Sequence, residues 1–342
     1  MQRLYQFRVI QVALAVLLCA GSSRLQAQAS PALSAEASAK IDEIVRKQLT
    51  STGVPSASVA VVKDRKIVYV QAYGEARLDP KLPAKPEMRY SVGSISKQFT
   101  AAAILMLQEQ GKLSLDDKVS KWVPGLTRDD EVSIRQLLSH TSGYQDYAPQ
   151  DYMVPEWKEP ISAQQIMDRW AKIPLDFDPG TKWQYSNTNY VIAGVIVEKA
   201  GGTPLYELLQ ERVFTPLQMT SATNTDVKKL PAADPSGYFR YALGPLRQAP
   251  KEGPGWMYAA GELAMTAEDL AKWNISVIEQ SVLKPASYHE METEVLLKSG
   301  VGTRYGLGCR CSARAGAAGL SMAARFRDLP RRTSYCPTKG SL

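Results

Sequence analysis

Residues 35–50 set Ile41, Ile44, Val45 and Leu49 three and four positions apart, the spacing of one helix face, and Thr52-Gly53 follows as a stop. Two short apolar runs come next, 57–62 and 67–72, rich in β-branched residues and parted by Lys63-Asp64-Arg65-Lys66. They predict an antiparallel hairpin and the start of a sheet. From Ser94 the chain reads SISKQFTAAAILMLQEQ, a strong helix with Phe99, Ala102, Leu105 and Met106 on one side and Gly111 just past its end. Between 113 and 273, helical stretches at 134–138, 163–171, 188–200 and 267–275 alternate with loops rich in Pro, Gly and Tyr. The pattern predicts an α/β fold whose sheet is interrupted by a mostly helical lobe.

The two ends differ from this body. Residues 1–29 carry Arg3 and Arg8, an apolar stretch over 9–20, and Ala27-Gln28-Ala29 before Ser30, the layout of a secretory signal cleaved near Ala29/Ser30. Export to the periplasm or beyond is the expectation. Leu18, rather than a small residue, precedes Cys19, which disfavours lipid attachment. No later run is long and apolar enough to span a bilayer, so no stable membrane span is expected after cleavage. After Gly308 the chain becomes CRCSARAGAAGLSMAARFRDLPRRTSYCPTKGSL, with scattered Arg and no strand alternation.

Composition changes the picture in one respect. With 342 residues, 44% hydrophobic and 22% charged, the chain is ordinarily globular, which excludes collagen, coiled coil and wholesale disorder. A formal charge of +7 invites a nucleic-acid reading, but the excess sits at the ends, and residues 30–308 carry a net −2. No nucleic-acid partner is expected. Of the four cysteines, Cys19 lies in the leader and Cys309, Cys311 and Cys336 in the last 34 residues, so no disulfide framework supports the body.

Candidate chemistry begins at Ser94-Ile95-Ser96-Lys97, a Ser-x-x-Lys at the mouth of the strong helix. A three-residue step puts both side chains on one face, where the amine can help remove the hydroxyl proton. The helix N-terminus adds partial positive charge where an oxyanion forms. A helix-capping serine followed by a solvated lysine reads the same letters. Ser281-Val282-Leu283-Lys284 repeats the pattern, but Pro285 follows and the match is read as chance. The second motif is Tyr185-Ser186-Asn187, ahead of an apolar helix starting near Asn189. A phenol beside a lysine ammonium should ionise more easily and can shuttle protons. The other reading is a buried tyrosine in a turn, with Asn187 as helix cap. His289 has no partner histidine, so no metal site is expected.

The stretches Tyr90-Ser91-Val92-Gly93-Ser94-Ile95-Ser96-Lys97-Gln98-Phe99-Thr100, Leu137-Leu138-Ser139-His140-Thr141-Ser142-Gly143, Tyr185-Ser186-Asn187 and Gly261-Glu262-Leu263-Ala264-Met265-Thr266 resemble the class C β-lactamase-related serine hydrolases. That family includes β-lactamases, DD-peptidases and carboxylesterases, and the resemblance runs from about 38 to 308. It implies an antiparallel sheet flanked by helices with the inserted lobe. It further implies Ser94 as acylated nucleophile, Lys97 as its activator, Tyr185 as general acid/base, and Asn187 as a substrate-amide contact that orients Lys97. No metal or cofactor is implied. The substrate would be a small molecule or a peptidoglycan peptide: a β-lactam, a D-Ala-D-Ala peptide or a carboxylic ester. His140, within Thr-Ser-Gly, is expected to order its loop rather than act as a base.

The same resemblance requires a third element, Lys-Thr/Ser-Gly or His-x-Gly, on a strand beside the nucleophile. Lys298-Ser299-Gly300 has the letters but stands before Val301–Gly308 rather than after it, and is read as a turn. Beyond Gly308 the remaining strands and terminal helix are expected to be missing. A frame change near Gly308 would account for this, because Ser321–Gly340 can be back-translated into a shifted frame containing His-Gly-Gly and a strand; the alternative is a natural basic tail on a divergent member. The domain reading is therefore a leader at 1–29, an incomplete hydrolase domain at 30–308 and an aberrant basic tail at 309–342. The alternative to an active hydrolase is a catalytically silent remnant or binding scaffold.

Overall fold

The computed structural model describes residues 33–149, 153–240, 244–314, 317–326 and 329–335, with side chains as far as Cys311. The leader reading of 1–29 lies outside these residues. Helix α1 (Ala35–Thr52) opens on Ser34, whose hydroxyl accepts from the Ala37 N–H, and closes on left-handed Gly53. It lies on β1 (Ser56–Lys63) and β2 (Lys66–Leu78), which form the expected hairpin. Asp64 and Arg65 both take positive φ, the two-residue turn that matches strand twist. Strand β3 (Lys81–Pro83) completes this sheet in the order β1-β2-β3.

Strand β4 (Tyr90–Ser91) leads into α2 (Ser96–Glu109), which is buried from Ser96 to Leu107. Ala101-Ala102-Ala103 and the Leu, Met and Gln around them are strong helix formers, and Gly111 at φ 70° ends the run. The lobe adds α3 (Ile134–Leu138), α4 (Ala163–Trp170), α5 (Asn187–Gly201) and α6 (Leu205–Leu209). Ser133 with Gln136, and Ser162 with Gln165, form capping boxes that start α3 and α4. The core gathers round α2, with Phe99 fully buried against Phe214 and Trp273 at ring separations of 5.6 and 4.7 Å.

Short strands β5 (Thr223–Asn224), β6 (Tyr238–Phe239), β7 (Arg247–Gln248) and β8 (Leu263–Met265) precede α7 (Ala267–Glu279) and α8 (Pro285–Glu292). β8 lies between β4 and β5, pairing Ser91 and Thr223 with Ala264. The result is the mixed α/β architecture with antiparallel sheets and an inserted helical lobe.

The expectation that strands are missing after Gly308 is corrected. Strands β9 (Arg310–Arg314), β10 (Ala317–Phe326) and β11 (Leu329–Tyr335) form an antiparallel sheet in the order β11-β10-β9, with Leu320 opposite Cys311 and Tyr335. β10 runs beside the Gly93–Ile95 turn. Ala, Gly and Ser have little strand propensity, so the pattern gives no strand here. The ladder itself needs only backbone N–H and C=O groups, which any non-proline residue supplies. Neither Lys-Thr/Ser-Gly nor His-x-Gly occurs in β10, AAGLSMAARF.

Candidate active site

Ser94 stands where β4 bends into α2. Gly93, at φ 54°, makes the bend, and Gly93–Ile95 form one 3-10 turn, so Ser94 precedes the α-helix instead of opening it. β8 fixes this corner from two sides: Val92 N–H donates to the Leu263 carbonyl at 2.8 Å, and Leu263 N–H donates to Ser96 Oγ at 3.1 Å. Ser94 remains partly exposed, whereas Lys97, one turn on, is fully buried.

Three acceptors meet the three protons of a charged Lys97 Nζ: Ser94 Oγ at 3.1 Å, Asn187 Oδ1 at 2.8 Å and the Ala260 carbonyl at 2.7 Å. Burial pulls the amine down to about 7, while the charge of Asp146 works in the opposite direction. Near neutral pH a large share of this amine is therefore the free base. The solvated-lysine alternative is excluded by its burial.

Tyr185 Oη donates to Ser94 Oγ at 2.6 Å. Burial pushes this phenol above its ordinary range, against the smaller lowering effects of its bond to Ser94 and of the Arg310 charge. The expectation that a neighbouring ammonium would ease its ionisation is corrected: desolvation of the ring outweighs it, and the lysine itself is poised to lose its charge. Tyr185 is a protonated donor at neutral pH. Lys97 Nζ lies 5.0 Å from the Tyr185 ring centre and 5.3 Å from that of Tyr190.

Asn187 is the first residue of α5, with Ser186 in the cap position ahead of it. Its amide oxygen faces Lys97 and its Nδ2 faces Asp146, so the side chain bridges the two. His140 is buried at φ 60° and orders the Tyr185 loop. Its Nδ1 accepts from Ser186 N–H at 3.2 Å, its carbonyl accepts from Gln184 N–H at 3.0 Å, and its ring lies 4.4 Å from that of Tyr185. Burial holds it well below the usual histidine range, hence neutral.

The remaining motif matches fall elsewhere. Ser281–Lys284 is the connection into α8, with Lys284 at its cap, and His289 lies within α8. Lys298-Ser299-Gly300 is a turn with Lys298 N–H on the Gly180 carbonyl at 2.8 Å. Among the described residues no three His, Cys, Asp or Glu side chains gather as metal ligands would, and no helix is long and apolar enough to cross a membrane. Sequence reasoning missed Asp146, the Ala260 carbonyl and Tyr190. Asp146 had one legible signal, an acid between Tyr144 and Tyr147 in a loop of otherwise neutral residues.

A Ser-x-x-Lys corner on a sheet, faced by a Tyr-x-Asn from a helical lobe, defines the class of the β-lactamase and transpeptidase folds. The beta-lactamase family profile matches residues 41–328, and the chain belongs to that family. The match extends across β9 and β10.

Penicillin-binding protein 4* of Bacillus subtilis is 30% identical over 270 residues, covering 73% of this chain and 58% of its own length. Protein flp of Staphylococcus aureus is 28% identical over 239 residues, 68% of this chain and 47% of its own. The chain thus spans about half the length of these curated relatives. Among solved structures, an octameric penicillin-binding protein homologue from Pyrococcus abyssi superposes with TM-score 0.74 at 27% identity, over 88% of this chain and 71% of that one. A D-stereospecific amidohydrolase from Streptomyces sp. gives 0.68 at 27%, over 84% and 91%.

Proposed function

We propose that the protein is an exported serine hydrolase that forms an acyl-enzyme on Ser94. Its substrate would be a β-lactam, a D-Ala-D-Ala peptide or a carboxylic ester. The observation that carries this reading is that one oxygen, Ser94 Oγ, meets both Lys97 Nζ at 3.1 Å and Tyr185 Oη at 2.6 Å. A nucleophile needs a base to take its proton and an acid to supply the leaving group, and these two neighbours are biased in those directions.

In acylation, Ser94 Oγ bonds to the substrate carbonyl carbon while its proton passes to uncharged Lys97. The tetrahedral intermediate then expels the leaving nitrogen or oxygen, which takes a proton from Tyr185 or from the lysine just charged. In deacylation a water attacks the ester, its proton returns through the same pair, and the acid leaves as Ser94 regains its own proton. Asn187 holds Lys97 on line. The named amidohydrolase and penicillin-binding relatives are consistent with an acyl donor of this kind.

Covalent labelling by a fluorescent penicillin or a fluorophosphonate tests the reading. Labelling by either probe that is abolished in Ser94→Ala and strongly slowed in Lys97→Met is expected. Folded wild-type chain that takes up neither probe would overturn it in favour of a silent scaffold, the outcome to which β10 without its Lys-Thr-Gly or His-x-Gly letters would then point.

A further inference from the structure

Asp146 lies outside every motif in the sequence and touches neither Ser94 nor Lys97, yet its contacts converge on the amide that does. Asp146 Oδ1 accepts from Asn187 N–H at 2.9 Å, from Asn187 Nδ2 at 3.1 Å and from Ala148 N–H at 3.1 Å. Its Oδ2 accepts from Asn187 Nδ2 at 3.3 Å. A carboxylate can only accept, and a carboxamide has one accepting and one donating end. With the donating end committed to Asp146, only the oxygen is left to face Lys97, at 2.8 Å. The reversed amide would set its N–H groups against the lysine ammonium and its oxygen against the carboxylate, two like-with-like contacts.

We infer that Asp146 is a positioning residue for Lys97, orienting the Asn187 amide toward the amine and projecting its negative charge through that amide. The other groups facing Lys97 cannot take over this role. Tyr185 and Tyr190 present ring faces at 5.0 and 5.3 Å, and His140 is buried and neutral. Arg310, whose charge reaches Tyr185 and His140, has the wrong sign. On the acid's own side, Tyr147 and Tyr185 are protonated phenols that feel its charge. Asp146 is the charged group whose field raises the proton affinity of Lys97 against its burial. The loop 144–148 thus sets how much free base the nucleophile's neighbour offers at a given pH. The kinetic consequence rests on the reading of Lys97 as base, whereas the orientation of the amide does not.

The test is a carbon-13 NMR titration of lysine Cε, with the Lys97 resonance assigned by its loss in Lys97→Met, run beside the pH dependence of fluorophosphonate labelling. Asp146→Asn is expected to lower the Lys97 midpoint by about one pH unit and to move the acid limb of labelling the same way. The labelling plateau should fall as well, because the Asn187 amide loses its director. Asp146→Glu, which keeps the charge, should return the midpoint toward the wild-type position. A bracing role for the loop alone would lower the melting temperature and the plateau with the midpoint unmoved, and that result overturns the inference. If Asp146→Asn does not fold, the same titration on Asp146→Ser, which removes the charge but keeps an acceptor, decides. Absence of labelling in the wild type would reject the hydrolase reading, and the NMR midpoints would still judge Asp146.

Discussion

Replacing Lys97 by methionine keeps the length of the side chain and removes a buried amine, so its effect on stability can be worked out in advance. The folded protein binds the Lys97 proton with a midpoint of about 7, against an ordinary 10.5 when unfolded. Between those values the unfolded chain holds a proton that the folded one has released. Stability therefore rises with pH across this window, and the penalty for charging the buried amine is present in full only below about pH 7. Integrating the difference in bound protons from about pH 6 to about pH 9 gives about 2.7 kcal/mol gained by the wild type. Lys97→Met has no such gain. Its melting temperature relative to wild type should fall by about 5–11 °C across the same interval, with the variant at its best in acid. Other groups titrating in the window are shared by both proteins and drop out of the comparison. Thermal melts of both proteins at a series of pH values suffice as the assay. Parallel curves from pH 6 to 9 would show that the amine is not held as a buried, weakly basic group, and the assignment of Lys97 as base would fall with it.

Three further outcomes follow from single residues. Gly308 lies at φ 79° with room for no Cβ, which would stand 2.7 Å from the Lys97 carbonyl and 3.1 Å from Ala101 Cβ. Gly308→Ala should cost about 2–4 kcal/mol in urea unfolding and slow labelling of Ser94. Glu262 is buried and its carboxyl is pushed up to about 8 from 4.5, so folded protein keeps a proton that the unfolded chain loses and stability falls as pH rises between those values. Glu262→Gln should gain on wild type over that interval and hold a constant lead above it, and an advantage that shrinks with pH would contradict the burial. His140→Asn should lower the melting temperature and the labelling plateau by loosening Gln184 and Ser186, while the pH midpoint of labelling stays put; a moved midpoint would make the histidine part of the proton path.

Much of the fold lay on the surface of the sequence because it is local. The hairpin, the helix at 96–109 and the lobe helices each announce themselves by period and cap, and the structure extends α1 to Thr52 and starts α2 at Ser96 rather than Ser94. Ser94, Lys97, Tyr185 and Asn187 were legible as letters, and the structure brings all four together. What stayed hidden was non-local. Asp146 and the Ala260 carbonyl reach Lys97 from 49 and 163 residues away, and a backbone oxygen leaves no trace in side-chain identity. The tail misled for another reason, since strand pairing by small residues is decided by the neighbouring edge and not by their own pattern. Tyr185 was given the wrong direction of shift because the cost of burying a phenol cannot be weighed before its surroundings are known.

The hydrogen bonds that hold Lys97 span 3, 90 and 163 residues of chain. The first forms with a single helical turn, but the other two require closing long loops, an event whose entropic cost is met only when distant segments condense. During refolding, helix content should therefore recover before Ser94 becomes reactive, and the appearance of a labelled serine marks the moment when the sheet corner, the lobe and the 260 turn have all arrived. A covalent probe that labels Ser94 would consequently serve as a clock for the last step of the chain's own assembly.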